Sequence, residues 1–358
     1  MVGGIERADP RLDRLTDLEL NVTSPGRPRR GLPWAALRVL LVTNLYPDAA
    51  SPRRGRFVSD QVEALRALGA EIELFTFPLG SRAYLSAVRP LRRRLSEASF
   101  DVVHAHYGLC GWTAARAGAS PLLVTFHGTD VRHPLSGRVS RSVLRKLDLA
   151  AGVSSSIFRA EAGRPGLDPP PGTAAVLPAG VDLSRFSPAP RAAARRRLGL
   201  EEDGRYLFFP ADPARTVKRA DRAREVAGMT GATLLTAGEI DPQRMADHIN
   251  AASAVLVTSD SEGFGLAALE ALACEVPVLS TPVGIAPLAL AGLPGCLAEP
   301  FDATRWAAVA SSHLEADDPR VERGAEAAAA FSATRMAERV LAAYEGLAAR
   351  RRDGGANT

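Results

Sequence analysis

Lysine is almost missing from this chain. Of its 44 basic residues, all but Lys146 and Lys218 are arginine. A skew of that kind reflects genome composition, so the formal net charge of +4 is no signature of nucleic-acid binding, and no nucleic-acid partner is expected. Against that background a lysine in a loop, such as Lys218, stands out. Cysteine is scarce as well. Cys110, Cys274 and Cys296 are odd in number, far apart and without ligand-like pairing, which excludes a disulfide framework and points to a reducing compartment. No run approaches the ~20 apolar residues of a membrane-spanning helix, and the charged N-terminus lacks the apolar core of a signal peptide. The expected location is the cytoplasm.

What remains is an ordinary globular composition, 46% apolar and 23% charged over 358 residues, enough for two domains that each bury a core. Residues 1–35 are polar, rich in Arg, Asp, Pro and Gly, and without sustained periodicity; they read as a flexible N-terminal extension. Beyond them, short β-branched runs alternate with helix-forming segments. Strands are predicted at 37–43, 71–77, 101–104, 122–126 and 150–154, and again at 206–209, 232–236, 254–258 and 276–280. This alternation gives an α/β fold of two Rossmann-like, doubly wound parallel sheets whose carboxyl-edge loops receive ligands. The expected divisions are 36–187 for the first domain, 188–330 for the second, a helix over 331–350 and a disordered tail over 351–358. Pro188 and Pro190 stiffen the link between the domains.

The chain is organised around residues 254–284, where buried strand, loop, helix-former run and buried strand follow one another. The loop Ser259-Asp260-Ser261-Glu262-Gly263-Phe264-Gly265 sits where a strand hands over to a helix N-terminus. Outward backbone N–H groups and side-chain-free glycines there can cradle a phosphate or a sugar. Glu262 stands at its mouth, and Glu270 lies roughly 7 Å up the helix axis from Gly265 at 1.5 Å per residue. A carboxylate's two oxygens suit the neighbouring hydroxyls of a ribose or hexose. Taken singly, each has a plainer account, since an acid near a helix start complements the dipole and a helix-interior Glu is commonly solvated.

The spacing changes that. EGFGLAALEALACEVPV, with seven residues between Glu262 and Glu270, resembles the signature of the family 4 retaining glycosyltransferases, enzymes of GT-B fold. The resemblance covers about residues 37–345 and implies two Rossmann-like domains facing a cleft. The first would be on the acceptor side and the second would bind the donor, with the C-terminal helix packing back on the first. By the same resemblance Glu262 contacts the donor sugar and Glu270 the nucleotide ribose, beside Gly263, Phe264 and Gly265. Ala179-Gly180-Val181-Asp182 is similar to the family's domain-boundary segment, with Ala179 replacing an asparagine. In PADPARTVKRAD, where the family carries an Arg and then a Lys that clamp the diphosphate, Lys218 is the implied phosphate ligand. Arg215 is the displaced substitute for the arginine, and Asp212 stands near the arginine's usual place.

In the first domain, His127 in TFHGTD corresponds to a family histidine that lies against the donor sugar. A structural histidine capping the strand is the other reading. Gly55 resembles the family's glycine loop near donor and acceptor, and a plain surface turn accounts for it equally well. His104 and His106 in HAHYG share that strand edge, with no third ligand spaced to complete a metal site; His106 is expected to line the acceptor cleft. No Asp-X-Asp pair is present, so the diphosphate charge falls to cationic side chains and a helix N-terminus. No metal and no cofactor are expected, with a UDP- or GDP-sugar as co-substrate. The arginines at 92–94 fit either peripheral contact with the inner face of an anionic membrane or an exposed helix face. Glu275 occupies a place where the family commonly has glycine.

The implied activity is retaining, metal-independent transfer of a hexosyl group from a nucleotide diphosphate sugar to a hydroxyl acceptor on a glycan, a lipid-linked carrier or a natural product. The family's front-face route lets the leaving phosphate take the acceptor's proton. Two other readings stand. One is a GT-B sugar-nucleotide epimerase, against which the Glu262/Glu270 spacing argues. The other is an inactive nucleotide-sugar-binding homologue, motivated by Asp212 and Glu275.

Overall fold

A computed structural model describes residues 37–355 apart from residues 53, 161, 162, 164 and 239. The extension expected over 1–35 lies outside the described residues, as do the last three residues of the expected tail. The chain forms two compact units, one ending at Pro178 and rejoined from Met336 onward, the other spanning Ala179–Arg335.

The first unit holds a six-stranded sheet of β1 (Arg38–Thr43), β2 (Glu71–Thr76), β3 (Val102–His106), β4 (Leu122–Phe126), β5 (Leu149–Gly152) and β6 (Ala174–Val176), in the order β2-β1-β3-β4-β5-β6. The second holds β7 (Tyr206–Phe209), β8 (Thr233–Thr236), β9 (Ala254–Val257), β10 (Val278–Ser280) and β11 (Leu297–Ala298), in the order β11-β10-β9-β7-β8. Every pairing is parallel. Five of the six residues of β1 and all four of β9 are buried, as continuous apolar runs must be when both sheet faces are covered. The doubly wound architecture expected from the alternation is thus present twice.

Strand order decides where ligands can enter. In each sheet the unit's first strand lies between its second and its third. Connections therefore leave β1 and β3, and likewise β7 and β9, toward opposite faces, and a crevice opens at their carboxyl ends. The Gly55 loop follows β1, the Lys218 loop follows β7, and the Glu262 loop follows β9.

Several boundaries differ from expectation, each for a physical reason. The edge strands β6 and β11 have three and two residues, too few for a periodic signal. β3 continues to His106, because pairing with β4 runs on to Thr125. The units divide at Pro178/Ala179, not at 187/188. The intervening linker is bound to the second unit by Val181 N–H on the Phe331 carbonyl at 2.9 Å and Ala333 N–H on the Val181 carbonyl at 2.8 Å. The last helix is Ala333–Gly355, so residues 351–355 of the expected tail are helical, and Arg351 Nη1 donates to the Phe100 carbonyl at 3.0 Å. Met336, Val340, Leu341, Tyr344 and Leu347 from this helix share a core with Val39, Leu41, Val62 and Leu123. The second core gathers Leu207, Phe209, Leu256, Leu279 and Trp306.

Helix Leu266–Ala273 ends in a left-handed turn at Glu275, φ 58°. Glu275 N–H bonds to the Leu272 carbonyl at 2.8 Å and Val276 N–H to the Ala271 carbonyl at 2.9 Å, the turn that glycine usually makes. A β-carbon in that conformation costs about 1–2 kcal/mol. Glu275→Gly is therefore expected to raise the unfolding free energy by about 0.5–1 kcal/mol once glycine's extra unfolded-chain freedom is allowed for. The change should appear as a higher urea midpoint at constant slope. An unchanged or lower midpoint contradicts it.

Candidate active site

Beyond β7 the chain runs to Arg215 and then makes a single 3-10 turn, Thr216–Lys218. Beyond β9 it passes through residues 258–265 into helix Leu266–Ala273. The two loops are knitted together. Thr258 Oγ1 hydrogen-bonds the carbonyls of Lys218 and Arg219 at 3.0 and 2.9 Å, and Asp260 N–H donates to the Val217 carbonyl at 2.9 Å. The Asp260 carboxylate pairs with Arg219 at 3.2 Å and Arg222 at 2.9 Å.

At this seam Lys218 Nζ lies 2.5 and 2.6 Å from the two carboxylate oxygens of Glu262. Ser259 Oγ donates to Glu262 Oε1 at 2.6 Å. The two charged side chains are only 14% and 13% exposed, so each depends on the other, and removing one strands a desolvated charge. Residues 44 positions apart in sequence thus form one constellation. Glu270 follows in the adjoining helix, half-buried. Gly265 caps that helix with φ 94°, and a β-carbon on Gly284 would come within 2.2 Å of the Phe264 carbonyl oxygen, so the loop is closely backed on that side.

Two expected donor contacts fare differently. The Phe264 side chain is buried, with its ring 6.2 Å from that of Phe331, and its carbonyl accepts from Ile285 N–H at 2.7 Å. The buried side chain anchors the loop. Arg215 is exposed and is not brought to the Lys218–Glu262 pair. Asp212 accepts from Ala214 N–H at 2.8 Å and so shapes the turn in which Arg215 stands.

In the first unit, His104 and His106 lie on one face of β3, both 0% exposed. His104 has Nδ1 2.7 Å from Tyr344 Oη and Nε2 2.8 Å from Thr125 Oγ1, the environment of a core histidine. His106 Nδ1 lies 3.0 Å from His127 Nε2. His106 therefore stands behind His127 without surface of its own, which corrects its assignment to an acceptor cleft. His127, just past the end of β4, is half-buried, with ring centroids 4.8 Å from Phe57 and 4.5 Å from Tyr107. Gly55 is no plain turn, because at φ 64° its missing β-carbon would come within 2.0 Å of the Leu45 carbonyl oxygen.

Asp130 and Ser259 were not singled out from sequence. Buried Asp130 accepts from the N–H groups of His127 and Gly128 at 3.0 Å each and of Gly108 at 2.9 Å. It locks the His127 turn against the N-terminus of helix Gly108–Ala117. An Asp three residues after the histidine, in HGTD, is a recognisable turn-forming signal. The arginines at 92–94 are each engaged within the chain. Arg92 Nη2 donates to the Arg116 carbonyl at 2.7 Å, Arg93 pairs with Glu97 at 2.7 Å and Arg94 with Glu73 at 2.5 Å. No helix among the described residues is long and apolar enough to cross a membrane. No group of three or more His, Cys, Asp and Glu among the described residues is arranged to hold a metal.

Known proteins decide what this arrangement belongs to. A model described as "Glycosyltransferase Family 4" matches residues 30–185, and one described as "Glycosyl transferases group 1" matches residues 210–316. A D-inositol 3-phosphate glycosyltransferase of Geodermatophilus obscurus is 30% identical, with 73% of this chain aligned to 70% of the relative. The chain belongs to glycosyltransferase family 4. A second such relative of this glycosyltransferase, from Thermobispora bispora, is 31% identical over 66% of this chain and 67% of its own. Solved structures show the same GT-B fold. Sucrose-phosphate synthase from Thermosynechococcus elongatus has a TM-score of 0.65 at 18% identity, covering 88% of this chain and 100% of that one. Anabaena HepE in complex with UDP and glucose has 0.58 at 16%, covering 88% and 99%. Membership of the family sets the epimerase reading aside.

The histidines give this glycosyltransferase a pH dependence of definite sign. Burial pushes His106 down to about 3. It also holds His127 and His104 well below the ordinary imidazole value, with neighbouring histidines adding to the effect. The unfolded chain takes up these protons near pH 6.5 and the folded one does not. Their contribution to stability is therefore complete above that pH and is lost as pH falls toward 3. Asp130, pushed up to about 6 by burial although its N–H donors pull the other way, titrates in the opposite sense and offsets part of the loss. The urea-unfolding free energy is expected to fall by about 2–3 kcal/mol from pH 7 to 5.5. A flat or rising profile over that interval contradicts the placement of the histidines.

Proposed function

We propose that this glycosyltransferase moves a hexosyl group from a UDP- or GDP-sugar to a hydroxyl acceptor, with retention of configuration and without a metal or other cofactor. The observation that carries the reading is the desolvated Lys218–Glu262 pair, set where the switch-point loops meet beside a helix N-terminus. A diphosphate arriving there competes with Glu262 for the ammonium. Lys218 then faces the phosphates and Glu262 is freed to accept hydrogen bonds from sugar hydroxyls. Ser259 keeps hold of Glu262 through this exchange.

Glu270 takes the ribose hydroxyls, and the backbone of 263–265 with the helix N-terminus supports the phosphates. The exposed Arg215 side chain supplies a second cation by swinging inward. His127 and Glu262 carry the catalytic roles, while Gly55 shapes the loop near the acceptor. No enzyme carboxylate is assigned as nucleophile. Retention follows from a front-face departure in which the leaving phosphate takes the acceptor proton, and the protein supplies position and charge. The relatives are D-inositol 3-phosphate glycosyltransferases, so a phosphorylated cyclitol is the first acceptor to try. Three free cysteines suit the reducing cytoplasm, where peripheral membrane contact would serve only a lipid-linked acceptor.

Turnover with a panel of UDP-, GDP-, ADP- and dTDP-sugars, with and without chelator, tests the proposal. One nucleotide class is expected to support transfer unaffected by chelation. Glu262→Gln should lower kcat at least about 100-fold with the far-ultraviolet dichroism unchanged. Full activity in that variant removes Glu262 from the mechanism, and loss of activity to chelator overturns the metal-free reading. No turnover with any donor favours the inactive homologue.

A further inference from the structure

His106 has a ring nitrogen that the fold leaves without a partner. Its Nε2 is buried and has no hydrogen-bond partner among the described residues, while its Nδ1 is 3.0 Å from His127 Nε2. In the neighbouring core histidine, by contrast, both nitrogens of His104 are engaged, by Tyr344 and Thr125. A neutral imidazole has one N–H to place. If His106 kept it on Nε2, a buried donor would be orphaned, which folded proteins rarely tolerate; on Nδ1 it meets an acceptor, and only a lone pair is left over.

We infer that His106 is a positioning residue that sets the tautomer of His127. His106 donates its Nδ1–H to His127 Nε2, so that His127 carries its own proton on Nδ1 and presents that N–H as a hydrogen-bond donor. His127 is half-buried, and its Nδ1 is not among the buried atoms left without a partner. Asp130 fixes the backbone of the same turn through the N–H groups of His127 and Gly128, while Phe57 and Tyr107 flank the ring. Backbone, ring plane and tautomer are each held by a different group.

The matching ligand atom is an oxygen that accepts, either a hydroxyl oxygen of the donor sugar or a phosphate oxygen. An Nδ1–H donor strengthens its bond as negative charge grows on such an oxygen. This role rests on the proposed part of His127 in transfer; the tautomer itself does not.

Nitrogen-15 NMR of the full chain with labelled histidine separates the two. The six histidines are resolved by two-bond proton–nitrogen patterns, with His127→Gln as the assignment reference. The expected result is His127 as the Nδ1–H tautomer in the wild-type protein and reversion toward Nε2–H in His106→Leu. His106→Asn, whose side-chain amide places an N–H near the Nδ1 position, should restore the pattern. In parallel His106→Leu should lower kcat about 10- to 100-fold with the donor KM changed less than kcat, and His106→Asn should recover most of it. Wild-type His127 found as Nε2–H overturns the inference without any variant having to fold. A His127 tautomer unchanged in a folded His106→Leu overturns it too. A tautomer that shifts while kcat stays put leaves the positioning intact and removes His127 from the transfer reaction.

Discussion

Lys218 and Glu262 are both withdrawn from water and satisfied mainly by each other, with Ser259 completing the carboxylate. Such a pair is costly to break from one side. In the proposed function its worth lies in what replaces one partner. A diphosphate would bring two negative charges to a site holding one lysine, and the exchange would turn a closed ion pair into a lysine–phosphate contact and a free carboxylate. The rest of the second unit supports that exchange. The bonds from Thr258 to the Lys218 and Arg219 carbonyls, and the Asp260 pairs with Arg219 and Arg222, keep the two loops in register whichever partner Lys218 has.

Topology explains why these loops are the candidates for the chemistry. Parallel strands point all their carboxyl ends one way, and the reversal of strand order between β7 and β9 leaves the one place in that sheet where adjacent loops diverge. The first unit repeats the arrangement between β1 and β3, where the Gly55 backbone packs against Leu45. His127 follows β4, the strand beside β3, and its support comes from behind, through His106.

Much of this was readable in the residues. Buried strands such as β1 and β9 are continuous apolar runs, and the Glu262 loop carried a long and specific pattern. Lys218 stood out because lysine is so rare in the chain. What was not readable depends on distance in space. Nothing local says that Lys218 bonds to Glu262. His106 looked like a cleft residue because it shares the sheet's carboxyl edge with His127; pairing of β3 with β4 extends the strand and buries both His104 and His106. Phe264 sat in the right motif, yet the loop turns its ring inward. The edge strands β6 and β11 were too short to register, and the tail at 351–355 is helical in part because Arg351 finds the Phe100 carbonyl.

The exchange at Lys218 is the central claim, and calorimetric binding of a nucleoside diphosphate and of the intact nucleotide sugar to wild type and Glu262→Gln tests it most directly. Removing the carboxylate's charge releases Lys218 in advance. The bare diphosphate should then bind as tightly as before or more tightly, while the nucleotide sugar loses the extra affinity that its sugar contributes. Equal weakening of both ligands would contradict the account, because Glu262 would then serve the phosphate site as a structural partner of Lys218 and have no separate dealings with the sugar.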